Sequence, residues 1–69
     1  MEDISVTVNG ETRTLPRNCT VSQLLQLLGL DPRRVAVERN LDVIPRRTYG
    51  DAQLAAGDSV EIVTFVGGG

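Results

Sequence analysis

The residues that most clearly could take part in a reaction are three consecutive glycines at the C-terminal end of a 69-residue sequence: Gly67, Gly68 and Gly69. Glycines directly after an apolar strand cannot contribute to a core, and without Cβ atoms they form a narrow, adaptable segment. Fully extended, residues 66–69 span about 13 Å, at ~3.3 Å per residue. Such a segment can enter a slot too tight for side chains and bring the Gly69 α-carboxylate to another protein's active site. A frayed terminus without function is the alternative.

The other reactive side chains are more simply explained by structural roles. Cys19 directly precedes the N-cap of a predicted helix, where a small buried hydrophobe is expected rather than a persulfide acceptor. The pairs Arg33-Arg34 and Arg46-Arg47 could form basic docking points, although solvated loops are the simpler interpretation. Four acidic residues form no metal-binding pattern: Glu38, Asp42, Asp51 and Asp58. We therefore expect no metal site.

Composition excludes several classes of function. The sequence has no His, the commonest general base and metal ligand, and its single Cys cannot form an internal disulfide. Nine acidic and seven basic residues, all of the latter Arg, give a net charge of −2, which argues against nucleic-acid binding. Without a long apolar run or a secretory signal, we expect a cytoplasmic protein that avoids membranes. So short a chain favours a monomeric carrier or binding module over an enzyme, and we expect no bound cofactor.

The elements that must position the glycine tail begin with a hairpin. Residues 3–9 alternate between polar and apolar types, which is typical of a half-buried strand. Asn9-Gly10 then predicts a two-residue turn into a second strand, which Pro16 ends. That turn pairs Val6 with Arg13 and thereby places Arg13 beside the core face. Either the Arg13 stem reaches to the rim, or the hairpin has another register.

A short helix follows the hairpin. Thr20 and Gln23 form a capping box, and Gly29 stands where a left-handed C-terminal residue is wanted, so we predict a helix over Val21–Leu28. Its apolar face is predicted to contain five residues: Val21, Leu24, Leu25, Leu27 and Leu28.

Three further strands complete the predicted order β-β-α-β-β-β. They cover Val35–Glu38, Val43-Ile44 and Ser59–Phe65, with a short helical turn between residues 48 and 54. Pro45 places the second of these strands at an edge or ends it. We expect an α+β fold in which a mixed sheet of about five strands packs on the helix, with the first and last strands adjacent at its centre. The domain covers residues 1–66, and residues 67–69 form a flexible tail.

Apolar residues also point away from the predicted core. Val60 and Ile62 share one face of the last strand, whereas Val63 and Phe65 lie on the other, which the helix should not cover. Exposed apolar side chains beside a functional tail indicate a surface for partner proteins. We assign Val63, Phe65 and Val66 to that surface.

Segments along the whole chain match the pattern of one known family. They are Ile4–Val8 with Asn9-Gly10, Thr20-Val21 with Leu24-Leu25, Val35–Glu38 with Asn40, Val43–Arg46, Gly57-Asp58, Val60–Val63 and Phe65–Gly69. In these segments the sequence resembles the ThiS family, the ubiquitin-like β-grasp sulfur carriers of thiamine biosynthesis. The sequence departs from the family pattern at Asn40-Leu41-Asp42, where members usually have Asn-Gly or Asn-Gln-type turns, and at Tyr49, where many have Trp. Neither departure touches the tail.

The resemblance implies a chemical role for the tail. An adenylating enzyme similar to ThiF would use ATP and Mg²⁺ to convert the Gly69 carboxylate into an acyl-adenylate. A cysteine desulfurase and persulfide relay would then supply sulfur and leave a thiocarboxylate, which delivers that sulfur to a thiazole synthase similar to ThiG. Gly67 and Gly68 would let the tail pass into both partners' active sites. The carrier itself would catalyse nothing.

Two other functions stay open. The small subunit of molybdopterin synthase uses the same chemistry, but its members usually have a Pro-containing run before Gly-Gly, which Thr64-Phe65-Val66 does not match. The other function belongs to a different class: either a ubiquitin-like modifier that is joined to lysines through Gly69, or a plain β-grasp interaction domain. Without Lys of its own, this chain could not form lysine-linked polymers but could still modify other proteins.

Overall fold

One helix lies across a five-stranded mixed sheet. The computed structural model describes residues 2–65, and the predicted boundary between residues 66 and 67 lies outside them. The elements occur in the predicted order, and the order of strands in the sheet is β2-β1-β5-β3-β4. Their bounds are β1 Asp3–Val8, β2 Glu11–Pro16, α1 Val21–Leu28, β3 Val35–Arg39, β4 Asp42–Val43 and β5 Ser59–Thr64. The predicted β-grasp architecture is confirmed.

The first hairpin has the register that its two-residue turn predicts. Asn9 and Gly10 both have positive φ, 50° and 83°, as a type I′ turn requires. Val6 consequently pairs with Arg13, and Ile4 pairs with Leu15. Arg13 itself is exposed, so its side chain reaches the rim of the sheet instead of forcing another register.

Both ends of α1 are capped as predicted. The Thr20 hydroxyl accepts a hydrogen bond from the Gln23 amide, and the Gln23 side chain accepts one from the Thr20 amide. Gly29 has a φ of 72°, and the Leu30 amide donates to the Leu25 carbonyl to close the helix. The prediction of Leu27 as part of the buried face was wrong, because its side chain is 65% exposed. The helix has only eight residues, little more than two turns. The sheet covers the side of the helix that contains Val21, Leu24 and Leu25, and this side is narrower than the spacing of the leucines suggests.

The second hairpin departs from prediction in its bounds. β4 covers Asp42–Val43 instead of Val43-Ile44, and it is an edge strand, as Pro45 predicts. The helical turn lies at Arg46–Thr48 instead of within residues 48–54. A second 3-10 turn, at Pro32–Arg34, precedes β3. These segments lack the periodicity that fixes longer elements, so local hydrogen bonds decide their positions.

β5 lies at the centre of the sheet. It pairs in parallel with β1 and antiparallel with β3, which confirms the predicted adjacency of the first and last strands. Its inward residues Val60 and Ile62 join a core with Val6, Leu24 and Leu25, and Leu28 is partly buried against that core. Each fully buried aliphatic side chain stabilises the fold by roughly 1.5–3 kcal/mol. The strand that leads to the tail is therefore held by two neighbouring strands and by the core.

Candidate functional site

The structure describes the chain up to Phe65, which we call the root of the glycine tail, but it does not describe the tail. Val66, Gly67, Gly68 and Gly69 lie outside the described residues. The last described residue, Phe65, donates its amide to the Arg34 carbonyl at 2.8 Å, which continues the pairing of β5 with β3. The tail therefore begins from a fixed point at the end of the central strand.

Two asparagine side chains make hydrogen bonds to the backbone of β5, in addition to the bonds that β5 makes with the neighbouring strands. The Asn9 Oδ1 accepts from the Ile62 amide at 2.8 Å, and the Asn9 Nδ2 donates to the Ile62 carbonyl at 3.2 Å. This side chain thus replaces a further residue of β1, which ends at Val8. At the start of β5, the Asn40 Oδ1 accepts from the Ser59 amide at 2.9 Å.

The sequence interpretation assigned both asparagines to turns alone and missed these contacts. A signal was present, since Asn at a turn carries both a donor and an acceptor that can bind backbone groups of a neighbouring strand.

The predicted exposure of Val63 and Phe65 is confirmed. Their side chains are 57% and 48% exposed, on the sheet face opposite the helix. Val63 pairs with Ala36 on β3, and Val43, also exposed, lies opposite Glu38 on the same face. We call the exposed apolar surface formed by Val63 and Phe65 the outer patch. Its use by a partner stays a prediction, and Val66 lies outside the described residues.

Cys19 is not brought near the root of the tail. It is 2% exposed, and its carbonyl accepts from the Leu54 amide at 2.8 Å, beside the N-terminus of α1. The root lies beyond the C-terminal end of the helix, next to Arg34. Burial raises the pKa of the Cys19 thiol, so this sulfur stays protonated and is a weak nucleophile. These observations favour the structural role that the sequence predicts.

Polar side chains elsewhere also serve the fold. The Asp58 carboxylate accepts from the Ala55 amide at 2.8 Å and from the Asn40 side chain at 3.1 Å, as a turn residue does.

Within residues 2–65, no three His, Cys, Asp or Glu side chains are placed to hold a metal ion. In the same part of the chain, no helix has the length and apolar character to cross a membrane.

Comparison with known proteins places this geometry in a family. The model of the ThiS family matches residues 6–69, which includes both the sheet and the glycine tail. The chain belongs to the ThiS family. A relative from Bacillus subtilis, named sulfur carrier protein ThiS, is 42% identical over 50 residues, which cover 72% of this chain and 76% of that protein.

Longer relatives contain the same module within a larger polypeptide. A protein of Paramagnetospirillum magneticum named thiazole synthase is 46% identical over 66 residues, which are 96% of this chain but only 20% of that protein. A thiazole synthase of Magnetococcus marinus is 42% identical over a segment of the same length and coverage. The chain therefore spans about a fifth of the length of these two curated relatives.

A solved ThiS structure has the same fold. The crystal structure of the thiamine biosynthesis protein ThiS from Geobacter metallireducens superposes with a TM-score of 0.78 at 33% sequence identity. The superposition covers 96% of this chain and 100% of that one. The ubiquitin-like β-grasp fold expected from the sequence is thus the fold of an experimentally determined ThiS.

Proposed function

We propose that this chain is a sulfur carrier for the synthesis of the thiamine thiazole, and that Gly69 carries the sulfur. The observation that carries the proposal is the ThiS family match, which runs through the glycine tail to residue 69. The geometry of the root supports it, because Phe65 is tied to β3 while the sequence beyond Val66 contains only glycine. A fixed base followed by residues without side chains suits delivery of a terminal group into a narrow slot.

The chemistry needs a second protein. A C-terminal carboxylate has a pKa near ~3.5, so at neutral pH it is anionic and a poor electrophile. In the proposed reaction the Gly69 carboxylate attacks the α-phosphorus of ATP, bound with Mg²⁺ in an adenylating enzyme similar to ThiF, and pyrophosphate leaves. The terminal sulfur of a persulfide, supplied by a cysteine desulfurase relay, then attacks the acyl carbon and displaces AMP. A thiol cleaves the resulting acyl disulfide, which leaves the thiocarboxylate.

The proposed acceptor of the sulfur is a thiazole synthase similar to ThiG. Two relatives named thiazole synthase contain a segment like this chain within one longer polypeptide. Linking two modules in one polypeptide raises their effective concentration for each other, which favours the interpretation that the two modules act together. This chain would act as the separate form of that module, and it would bind neither ATP nor Mg²⁺ itself.

The deciding experiment is intact-mass spectrometry of the protein purified from its own cells. We expect a fraction of molecules in which one terminal oxygen is replaced by sulfur, and fragmentation should place that replacement at Gly69. Reconstitution with ATP, the adenylating enzyme and a persulfide donor should increase this fraction. Attachment of Gly69 to lysines of other proteins, with no thiocarboxylate at any stage, would assign the chain to the modifiers instead.

Two tail variants test the same proposal. Deleting Gly69 sets the carboxylate back by about 3.3–3.6 Å, and a misplacement of ~1 Å can already cost a hundredfold in rate. Gly68→Val keeps the length but adds a side chain that a narrow slot would exclude. Both variants should fold normally and gain no sulfur. Normal sulfur transfer to a protein without Gly69 would contradict the carrier proposal.

The outer patch is the proposed contact for a partner. Phe65→Asp should weaken binding of the adenylating enzyme or the thiazole synthase in calorimetry, because it places a charge in an apolar interface. Thr14→Asp is the matched control, since Thr14 is exposed on the same sheet face but on the edge strand β2. Equal binding by the two variants would place the interface elsewhere.

A further inference from the structure

The fold gathers arginines at the end of the sheet from which the tail leaves. β3 begins and β5 ends at this end, since Val35 pairs with Thr64. Two arginines precede β3 directly, and two lie in the 3-10 turn that follows β4. We call this set the arginine end: Arg33, Arg34, Arg46 and Arg47, which are four of the seven basic residues of the chain.

Hydrogen bonds join the two segments that contain the arginine pairs, which are separate in sequence. The Arg46 Nε donates to the Pro32 carbonyl at 2.9 Å, and a second nitrogen of the same guanidinium donates to the Val35 carbonyl at 3.4 Å. The Phe65 amide donates to the Arg34 carbonyl. The root of the tail is thus placed directly against this cluster.

Three acidic residues lie at the opposite end of the sheet, where Arg39 pairs with one of them, Asp42. Asp58 precedes β5, Asp3 begins β1, and Asp42 follows the turn between β3 and β4. At the arginine end, the segment 31–35 contains one carboxylate, Asp31, which pairs with Arg33 at 3.1 Å. That pairing holds the pKa of Asp31 below its usual value, so it stays ionised. The segments 31–35 and 46–48 thus carry four guanidinium groups and one carboxylate, in a protein whose net charge is −2.

We infer that the arginine end docks on a carboxylate-rich rim around the slot through which a partner protein receives the tail. This inference rests on the proposed function. Residues 66–69 span at most about 13 Å, so a carboxylate that reaches a buried active site leaves the arginines at the partner's surface. Their counterpart is therefore the surface of the partner rather than the phosphates of its nucleotide. Arg is suited to such contacts because its planar guanidinium binds carboxylates through two parallel hydrogen bonds.

The charge separation gives the docking a direction. A molecule that is positive at the tail end and negative at the other end turns its tail toward an acidic surface during diffusion. Such steering raises association rates by roughly 10- to 1,000-fold at low ionic strength and weakens as salt is added. The arginine end should thus act on the association rate, because the tail must be aligned before it can enter a slot.

The test compares two double variants with the same net charge. Arg34→Glu with Arg47→Glu changes the arginine end, whereas Arg13→Glu with Arg17→Glu changes the distant edge at β2. Each pair replaces two positive charges by two negative ones, so both proteins go from −2 to −6, a change of −4. Arg46 is left intact because it bonds two backbone carbonyls. Urea unfolding curves check that both variants fold.

The measurement is the association rate with the adenylating enzyme of the same organism, by stopped-flow fluorescence at low and physiological ionic strength. We expect the arginine-end variant to associate at least about tenfold more slowly at low salt and to lose most of its salt dependence. The control variant should stay within about twofold of the wild type. Equal slowing of both variants, or no slowing of the first, would overturn the inference.

Two further measurements distinguish carboxylate docking from phosphate binding and from a loss of sulfur transfer. If pyrophosphate binds the isolated wild-type chain in calorimetry but does not bind the arginine-end variant, the arginines bind phosphate and the acidic-rim inference fails. Mass spectrometry at saturating enzyme should still show sulfur on Gly69 of the arginine-end variant, because the tail is unchanged. If the wild type also gained no sulfur, the proposed function would fail, while the association rates would still test the docking surface.

Discussion

Replacement of Asn9 tests how the end of the central strand is held. The Asn9 side chain makes two hydrogen bonds with the Ile62 backbone, and its own φ is 50°. Asn9→Gly removes both bonds but keeps a residue that tolerates positive φ, whereas Asn9→Ala removes the bonds and strains the turn as well. The two substitutions therefore separate the side-chain contribution from the backbone contribution.

The expected magnitudes follow from the number of interactions lost. Two hydrogen bonds at ~0.5–1.5 kcal/mol each give a loss of about 1–3 kcal/mol for Asn9→Gly. Asn9→Ala loses the same two bonds and adds about 1–2 kcal/mol of backbone strain, because alanine in the left-handed region is strained by that amount. The gain in unfolded-state freedom from a new glycine adds roughly 0.5–1 kcal/mol of destabilisation and needs its own control.

Asn18→Gly supplies that control. Asn18 also has positive φ, 66°, and it is exposed, with no side-chain hydrogen bond within the described part of the chain. Urea unfolding gives the free energies, and amide exchange at Ile62 reports whether the end of β5 opens locally. If Asn9→Gly destabilised the protein no more than Asn18→Gly does, the proposed role of the Asn9 side chain in holding β5 would be refuted.

Three further predictions concern the core, the second turn and the cysteine. Leu25→Ala should lower the free energy of unfolding by about 2–5 kcal/mol in a denaturant melt, since Leu25 is fully buried; a loss below about 0.5 kcal/mol would contradict its placement. Leu41→Gly should raise the unfolding free energy by about 0.5–1 kcal/mol, because Leu41 has a φ of 75° and is 86% exposed; an unchanged or lowered melting temperature would show that the turn is not strained. The Cys19 thiol, whose pKa burial raises, should react with a thiol reagent at pH 8 only after urea unfolding, and Cys19→Ala should leave sulfur transfer intact; fast labelling of the folded protein would contradict its burial.

Elements with local signals could be predicted from the sequence. Thr20 and Gln23 cap the helix with bonds that need no tertiary partner, and Asn9-Gly10 sets the hairpin register through its own turn geometry. The alternation along β5 correctly separated buried Ile62 from exposed Val63, because neighbouring residues of a strand must face opposite sides.

Features that depend on distant partners could not be predicted from the sequence. Leu27 fits the apolar pattern of the helix, but how much of that face the sheet covers depends on the packing angle. Asn9 and Arg46 bind backbone groups far away in the chain, and no local pattern identifies those groups. For the site, the sequence identified the glycine tail and the exposure of Phe65, whereas the convergence of the arginines required the strand order.

The central position of β5 makes folding of the domain nearly all-or-none. The Asn9–Ile62 contact joins residues 53 positions apart, so forming it closes a loop of most of the chain and favours slow, cooperative folding. Without β5 the sheet would separate into two isolated hairpins, β1-β2 and β3-β4, and isolated hairpins are at best marginally stable in water. Proteolytic damage within β5 therefore destroys the binding surfaces along with the attachment of the tail. A partner that requires the folded sheet would thereby reject damaged molecules without a separate inspection step.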